Sequence, residues 1–133
     1  MKLQENTRLA LYSVLEFAAQ PGRQLSAAEI ASRYDVSPHH LAKVLKKLRG
    51  AGVLAAARGA GGGYRFAANP KRVTLLEVIG LFEQIGPARV GPGAHNAVER
   101  ALEEVLAEID ETARATFGSI TITTMLKLME RHR

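Results

Sequence analysis

The chain has 133 residues, 47% of them hydrophobic, which is room for one compact folded domain with an added element and leaves disorder unexpected. Its net charge of +5 is mild, and it contains no cysteine, which excludes disulfides, thiolate metal centres and a cysteine nucleophile together. No apolar run approaches the ~20 residues of a membrane helix, and Met1-Lys2-Leu3-Gln4-Glu5-Asn6 is too polar for a secretory leader, so a cytoplasmic protein is expected.

A first helix is predicted to start near Asn6 or Thr7, whose side chains can accept from free backbone amides. Leu11, Val14, Leu15 and Ala18 give it an apolar stripe, and Gln20-Pro21-Gly22 ends it. Ser26-Ala27-Ala28-Glu29 is a capping box, with Leu25 and Ile30 at the hydrophobic-staple positions, and opens a short second helix ending near Tyr34-Asp35. After the tight Asp35-Val36 turn, Ser37 caps a third helix with Pro38 at its first position. It runs to about Arg49, and Gly50 and Gly52 close it. Val53 to Arg58 and Tyr64 to Ala67 read as strands around a turn, Gly59-Ala60-Gly61-Gly62-Gly63. Thr74-Leu75-Leu76-Glu77 is a second capping box, stapled by Val73 and Val78, for a helix ending near Ile85-Gly86. Residues 87–95 form a Pro/Gly loop; Asn96 caps a long helix to about Thr116 or Phe117, and a last short helix follows Thr121.

The third helix separates into two faces at about 100° per residue. Leu41, Val44, Leu45 and Leu48 make one; His39, Lys43, Lys46 and Lys47 make the other, with Ala42 and Arg49 at its edge. Between Val36 and Leu76 lie eight basic residues and no acidic one, while Glu77 to Glu111 carries eight acids against Arg89 and Arg100. A short capped helix, a tight turn and a basic amphipathic helix match a helix-turn-helix, whose second helix enters the major groove. Lysine and arginine there neutralise phosphates, and side chains near the helix start (Ser37, His39, His40, Ala42, Lys43) reach base edges. Ser26, opening the first helix of the pair, joins this DNA-binding set. A solvated lysine face that binds nothing is the plainer alternative. His39 and His40 are adjacent and point about 100° apart, so they do not converge on a metal.

The glycine-rich turn lacks the Lys-Ser/Thr of a P-loop and opens no helix, so nucleotide binding is rejected. A hairpin directly after a recognition helix is a wing. Gly61 and Gly62 let its backbone approach phosphates, and Arg58 and Arg65 flank the tip. An ordinary surface hairpin remains the alternative. In the long helix, Val98, Leu102, Val105 and Ile109 repeat at alternating steps of four and three, continuing through Thr112 to Thr116. This heptad-like seam fits a partner helix or packing within its own domain.

The order of these motifs resembles the Rrf-two family of winged helix-turn-helix transcription regulators (IscR-, NsrR- and CymR-like). The matching residues are Leu25 to Ala31, Val36 to Leu45, Leu48 to Leu54, Arg58 to Tyr64, Asn69-Pro70 and Val73 to Ile79. His40-Leu41-Ala42-Lys43-Val44 looks closer to the NsrR-like branch. The resemblance covers roughly residues 7 to 130. It implies a mainly α fold with a small β-hairpin: a winged helix-turn-helix over residues 1–73, then a helical dimerisation region over 74–133 with a linker loop at 86–96. It also implies that Val98, Leu102, Val105 and Ile109 form the seam of a homodimer reading an inverted repeat as a repressor. Sensing members hold an iron–sulfur cluster on three cysteines at about residues 86 to 105. This chain has none there, and His95 with scattered carboxylates is a poor substitute for thiolates, so no cofactor and no metal are expected.

The remaining readings are a module docking a partner enzyme, as CymR-like relatives suggest, and an RNA-binding winged helix. RNA is disfavoured because the basic segment offers only Tyr64 and Phe66 for stacking. No Ser/His/Asp arrangement, HExxH or paired carboxylates suggest an enzyme. The loop from Gly86 to Asn96 and the space between dimer helices have room for a small effector, though no residue there demands one.

Overall fold

The computed structural model describes residues 1–59, 62–85 and 96–133. In chain order these form α1 (Glu5–Ala19), α2 (Ala27–Tyr34), α3 (Pro38–Gly50), β1 (Leu54–Ala56), β2 (Tyr64–Phe66), α4 (Leu75–Gly80), α5 (Ala97–Ser119) and α6 (Ile122–Glu130). The strands pair antiparallel with Leu54 opposite Phe66, both buried, and Ala56 opposite Tyr64. This is the expected mainly α, winged-helix architecture with one small hairpin.

Local signals start most of the helices. Ser26 Oγ accepts from the Glu29 amide and the Glu29 carboxylate accepts from the Ser26 amide, so the capping box closes both ways. Ser37, Thr74, Asn96 and Thr121 each accept from the amide three residues on. Asp35 takes a left-handed conformation at φ 53°, and the Val36 amide donates back to the Ala31 carbonyl (3.1 Å). That closure turns the chain sharply from α2 into α3. Tyr34 stacks on Tyr12 at 4.9 Å, and its hydroxyl donates to Glu16 (2.6 Å), whose other oxygen pairs with Arg33. Burial first, and the Glu16 carboxylate second, push the Tyr34 phenol above its ordinary range.

Several boundaries differ from expectation. The first helix begins at Glu5 with Gln4 as a cap that uses no side chain, not at Asn6 or Thr7. The Gln4 amide instead donates to the Glu83 carboxylate (3.1 Å), so a contact across 79 positions fixes this end. Both strands are three residues long, so Val53, Arg58 and Ala67 lie outside them. The fourth helix stops at Gly80 rather than near Ile85-Gly86. Glycine is a weak helix former, and the chain tightens there, with Leu81 donating to Val78 (3.2 Å) and Phe82 to Ile79 (3.0 Å). The freed residues take contacts from other elements: Glu83 holds Gln4, and the Ile85 carbonyl accepts from Arg114 (2.9 Å). The long helix continues past Phe117 to Ser119.

The core is continuous from α1 through α2 and α3 to Leu75, Val78 and Ile79 of α4 and Ile122 of α6. Thr74 and Thr121, the caps of α4 and α6, pair with each other as an isolated antiparallel bridge. Leu75 donates to Ile120 and Ile122 to Val73, both at 2.9 Å. This bridge seats the end of α5 against the start of α4.

One buried group in this core is unmatched. Thr7 is fully buried, and among the described residues its hydroxyl has no hydrogen-bond partner. A buried hydroxyl without a partner costs about 1–3 kcal/mol relative to a bonded one, and valine has nearly the same shape and helix propensity. Thr7→Val should therefore raise the melting temperature by a few degrees, measured by circular dichroism. A fall would mean that the hydroxyl is bonded in solution.

Candidate nucleic-acid interface

Periodicity and burial agree on α3. Leu41, Val44, Leu45 and Leu48 are buried against α1, α2 and β1, while Ser37, His39, Lys43, Lys46, Lys47 and Arg49 are exposed. His40 departs from this set: it is half-buried, and its Nε2 is covered without a partner among the described residues. Ser26 is half-buried, with its Oγ engaged in the capping box. Its hydroxyl hydrogen remains able to donate outward.

Lys47 stands at the edge of the face, and its ammonium lies 5.2 Å from the centre of the Phe82 ring. Sequence reasoning missed Phe82, because nothing local links the end of α4 to α3. Such a contact is worth about 0.5–1 kcal/mol at an exposed site. Lys43 and Lys46 are thus the freer cations at the centre of the face.

The wing follows α3 through the Val53 amide, which donates to the Leu48 carbonyl (3.1 Å). Arg58, just past β1, and Arg65, within β2, are both exposed. Gly62 is exposed with φ 65°; Gly61 was also expected at the tip and lies outside the described residues. The base of the turn closes through the Ala57 amide to the Gly63 carbonyl (2.9 Å). A third segment joins the hairpin: Leu25 and Tyr64 exchange backbone hydrogen bonds of 3.0 and 2.9 Å. The residue that precedes the α2 cap is thereby tied to the wing. Pairing over 39 positions left no periodic signal in so short a segment.

On α5 the seam residues are open to solvent in the single chain: Val98 is 77%, Leu102 57%, Val105 53% and Ile109 56% exposed. Asp110, one residue on, is buried on the inward side.

Residues 3–128 match the family model Rrf2, described as an iron-dependent transcriptional regulator. The chain belongs to the Rrf2 family. Over its whole length it is 50% identical to BadM of Rhodopseudomonas palustris, a protein named as an HTH-type transcriptional regulator, covering 86% of that relative. It is 33% identical to the regulator IscR of Cereibacter sphaeroides over 74% of this chain and 66% of that one. The structure of CymR, the global cysteine regulator of B. subtilis, superposes with a TM-score of 0.82 at 26% identity, covering 96% of this chain and 98% of that one. The protein is therefore a transcriptional regulator with the DNA-binding winged-helix fold. Rrf2 regulators bind DNA and act as dimers, and neither the family nor these relatives are enzymes.

The family description speaks of iron, and the donor set here can be tested against it. An iron–sulfur cluster requires soft thiolate ligands, and the sequence has no cysteine. Among the described residues, no three or more His, Asp or Glu side chains gather where an ion could be held. His95 and the rest of the expected linker loop, apart from Asn96, lie outside the described residues. The residues present do not fit an iron–sulfur cluster. Among the described residues, no helix is long and apolar enough to cross a membrane.

Proposed function

We propose that the chain is a homodimeric, sequence-specific repressor that acts in the cytoplasm on an inverted-repeat operator and carries no iron–sulfur cluster. The observation that carries this reading is the division of α3, with four aliphatic side chains buried and the basic face open to solvent beside the wing arginines. In this reading residues 1–73 grip DNA and residues 74–133 pair the chains. His39 reads a base edge, Lys43 and Lys46 neutralise phosphates, and Ser26 and Ser37 donate to the backbone at helix starts. Arg58 and Arg65 follow the wing tip to the neighbouring groove. Lys47, Arg49 and Gly62 line the margin of the same surface, with the half-buried His40 near the start of α3 contributing to it. Two such surfaces in a twofold dimer select half-sites about one helical turn, or a multiple of it, apart. A dimer seated there blocks promoter access, which is repression by occupancy.

The test is binding of purified protein to duplexes from a random pool, followed over a range of salt. Lys43→Ala and Lys46→Ala should each weaken binding to every sequence and reduce the slope of log affinity against log salt by about 1.8, one phosphate contact being lost from each of the two subunits. His39→Ala should relax specificity at one position in each half-site. Unchanged slopes would remove the lysines from the interface, and no selection of any duplex would end the reading.

A further inference from the structure

We infer that Gln24 is a positioning residue for the DNA-binding surface: its side chain locks the wing tip to the start of α2, so that both meet the duplex as one rigid unit. This role rests on the DNA-binding reading above. It was not visible in the sequence, where Gln24 is one polar residue in the loop after α1.

The wing turn is built almost wholly of glycine, and Gly59, Gly62 and Gly63 all have positive φ (138°, 65° and 132°). Glycine reaches such angles freely, and for the same reason selects none of them. Something else must choose the conformation. Backbone bonds close the base of the turn, with Ala57 donating to Gly63 (2.9 Å) and Gly62 to Gly59 (3.2 Å). These fix the hairpin to itself but not its direction relative to the helices. The Leu25–Tyr64 pairing orients the strand, and Gln24 extends that hold to the tip. Its Nε2 donates to the Gly62 carbonyl, 38 positions along the chain. Its side chain runs beneath the turn, with Cγ 3.1 Å from where a Gly63 side chain would begin and Oε1 3.6 Å from the same point on Gly59.

The other end of Gln24 is equally constrained. Its neighbour Leu25 is buried and paired with Tyr64, and the next residue, Ser26, caps α2. Three consecutive residues thus hold the wing tip, the wing strand and the helix start. Binding DNA with a loop already in its bound conformation avoids the entropic cost of ordering that loop on the duplex. The amide is suited to this task because it donates to a carbonyl without adding a negative charge beside the phosphates.

Gln24→Met keeps the length and the packing under Gly63 and removes the carboxamide, and with it the donor to Gly62. The probe is the duplex that the wild-type protein selects from a random pool, with a shuffled duplex beside it. Gln24→Met should bind the selected duplex roughly three- to tenfold more weakly, through faster dissociation and with the salt slope unchanged. In a protein already carrying Arg58→Ala and Arg65→Ala, which has lost the grip of the wing, the same substitution should change affinity less than twofold. In the free variant, ¹⁵N relaxation should report greater motion at Gly62. Wild-type affinity in Gln24→Met, an equal loss in the arginine-free background, or unaltered Gly62 order would each overturn the role. If the wild-type protein selects no duplex, the DNA-binding reading fails instead, and the relaxation measurement still decides whether Gln24 holds the tip.

Discussion

Gly63→Ala should lower the melting temperature by roughly 7–14 °C, corresponding to about 2–4 kcal/mol in a domain of this size. Two costs add at this position. Its φ of 132° is a conformation that side-chain-bearing residues rarely adopt, and forcing one there costs about 1–3 kcal/mol. The new Cβ would also lie 2.8 Å from the Leu25 carbonyl oxygen, inside van der Waals contact. That oxygen is no flexible neighbour: it accepts from the Tyr64 amide at 2.9 Å, in the pairing that ties the wing to the approach of α2. Relief therefore means breaking the pairing or bending the hairpin. Gly62→Ala is the control, since Gly62 also has positive φ (65°) but nothing within 4 Å of the position a Cβ would take. It should cost about 1–2 kcal/mol, the left-handed penalty alone. Equal melting of the two variants would show that the close approach to Leu25 contributes nothing. The Gly63 variant should also bind DNA more weakly than Gly62→Ala under conditions where both are folded, because only the former moves the wing.

The second large effect is expected on α5. Leu102→Glu combined with Ile109→Glu should halve the particle mass measured by light scattering and weaken operator binding by at least about 100-fold. Two half-sites engaged by one linked molecule gain about 10²–10⁴ over a single engagement, and separated chains lose that gain. Leu102 and Ile109 are 57% and 56% exposed, so a charged side chain at either finds water in the isolated chain. In a paired seam, each glutamate would have to be buried opposite an apolar face or another carboxylate. Circular dichroism should show the helical content unchanged. The melting temperature of the wild-type protein should rise with concentration and that of the double variant should not, because only a dimer's stability depends on mass action. A variant that keeps its mass would place the pairing surface elsewhere. One that loses mass yet binds the selected duplex as tightly would separate pairing from DNA recognition.

Much of this protein was decided within short stretches of its sequence. The faces of α3 follow from the spacing of Leu41, Val44, Leu45 and Leu48, since a helix turns by a fixed angle and its apolar side must be buried. The starts of α2, α3, α4, α5 and α6 follow from Ser26, Ser37, Thr74, Asn96 and Thr121, because a side-chain oxygen can satisfy an amide only three residues away. The exposed stripe on α5 was legible for the same reason. Tertiary structure decided the rest, where the interaction spans a distance that no local period encodes. Gln4 needs no side-chain cap because Glu83 arrives from the far side of the chain, and past Gly80, where α4 stops, Glu83 and Ile85 find partners in other elements. Tyr64 meets Leu25, Thr74 meets Thr121, Phe82 lies under Lys47, and Gln24 reaches Gly62. Each of these joins segments at least 35 residues apart, and only the packing of the shared core brings them within reach.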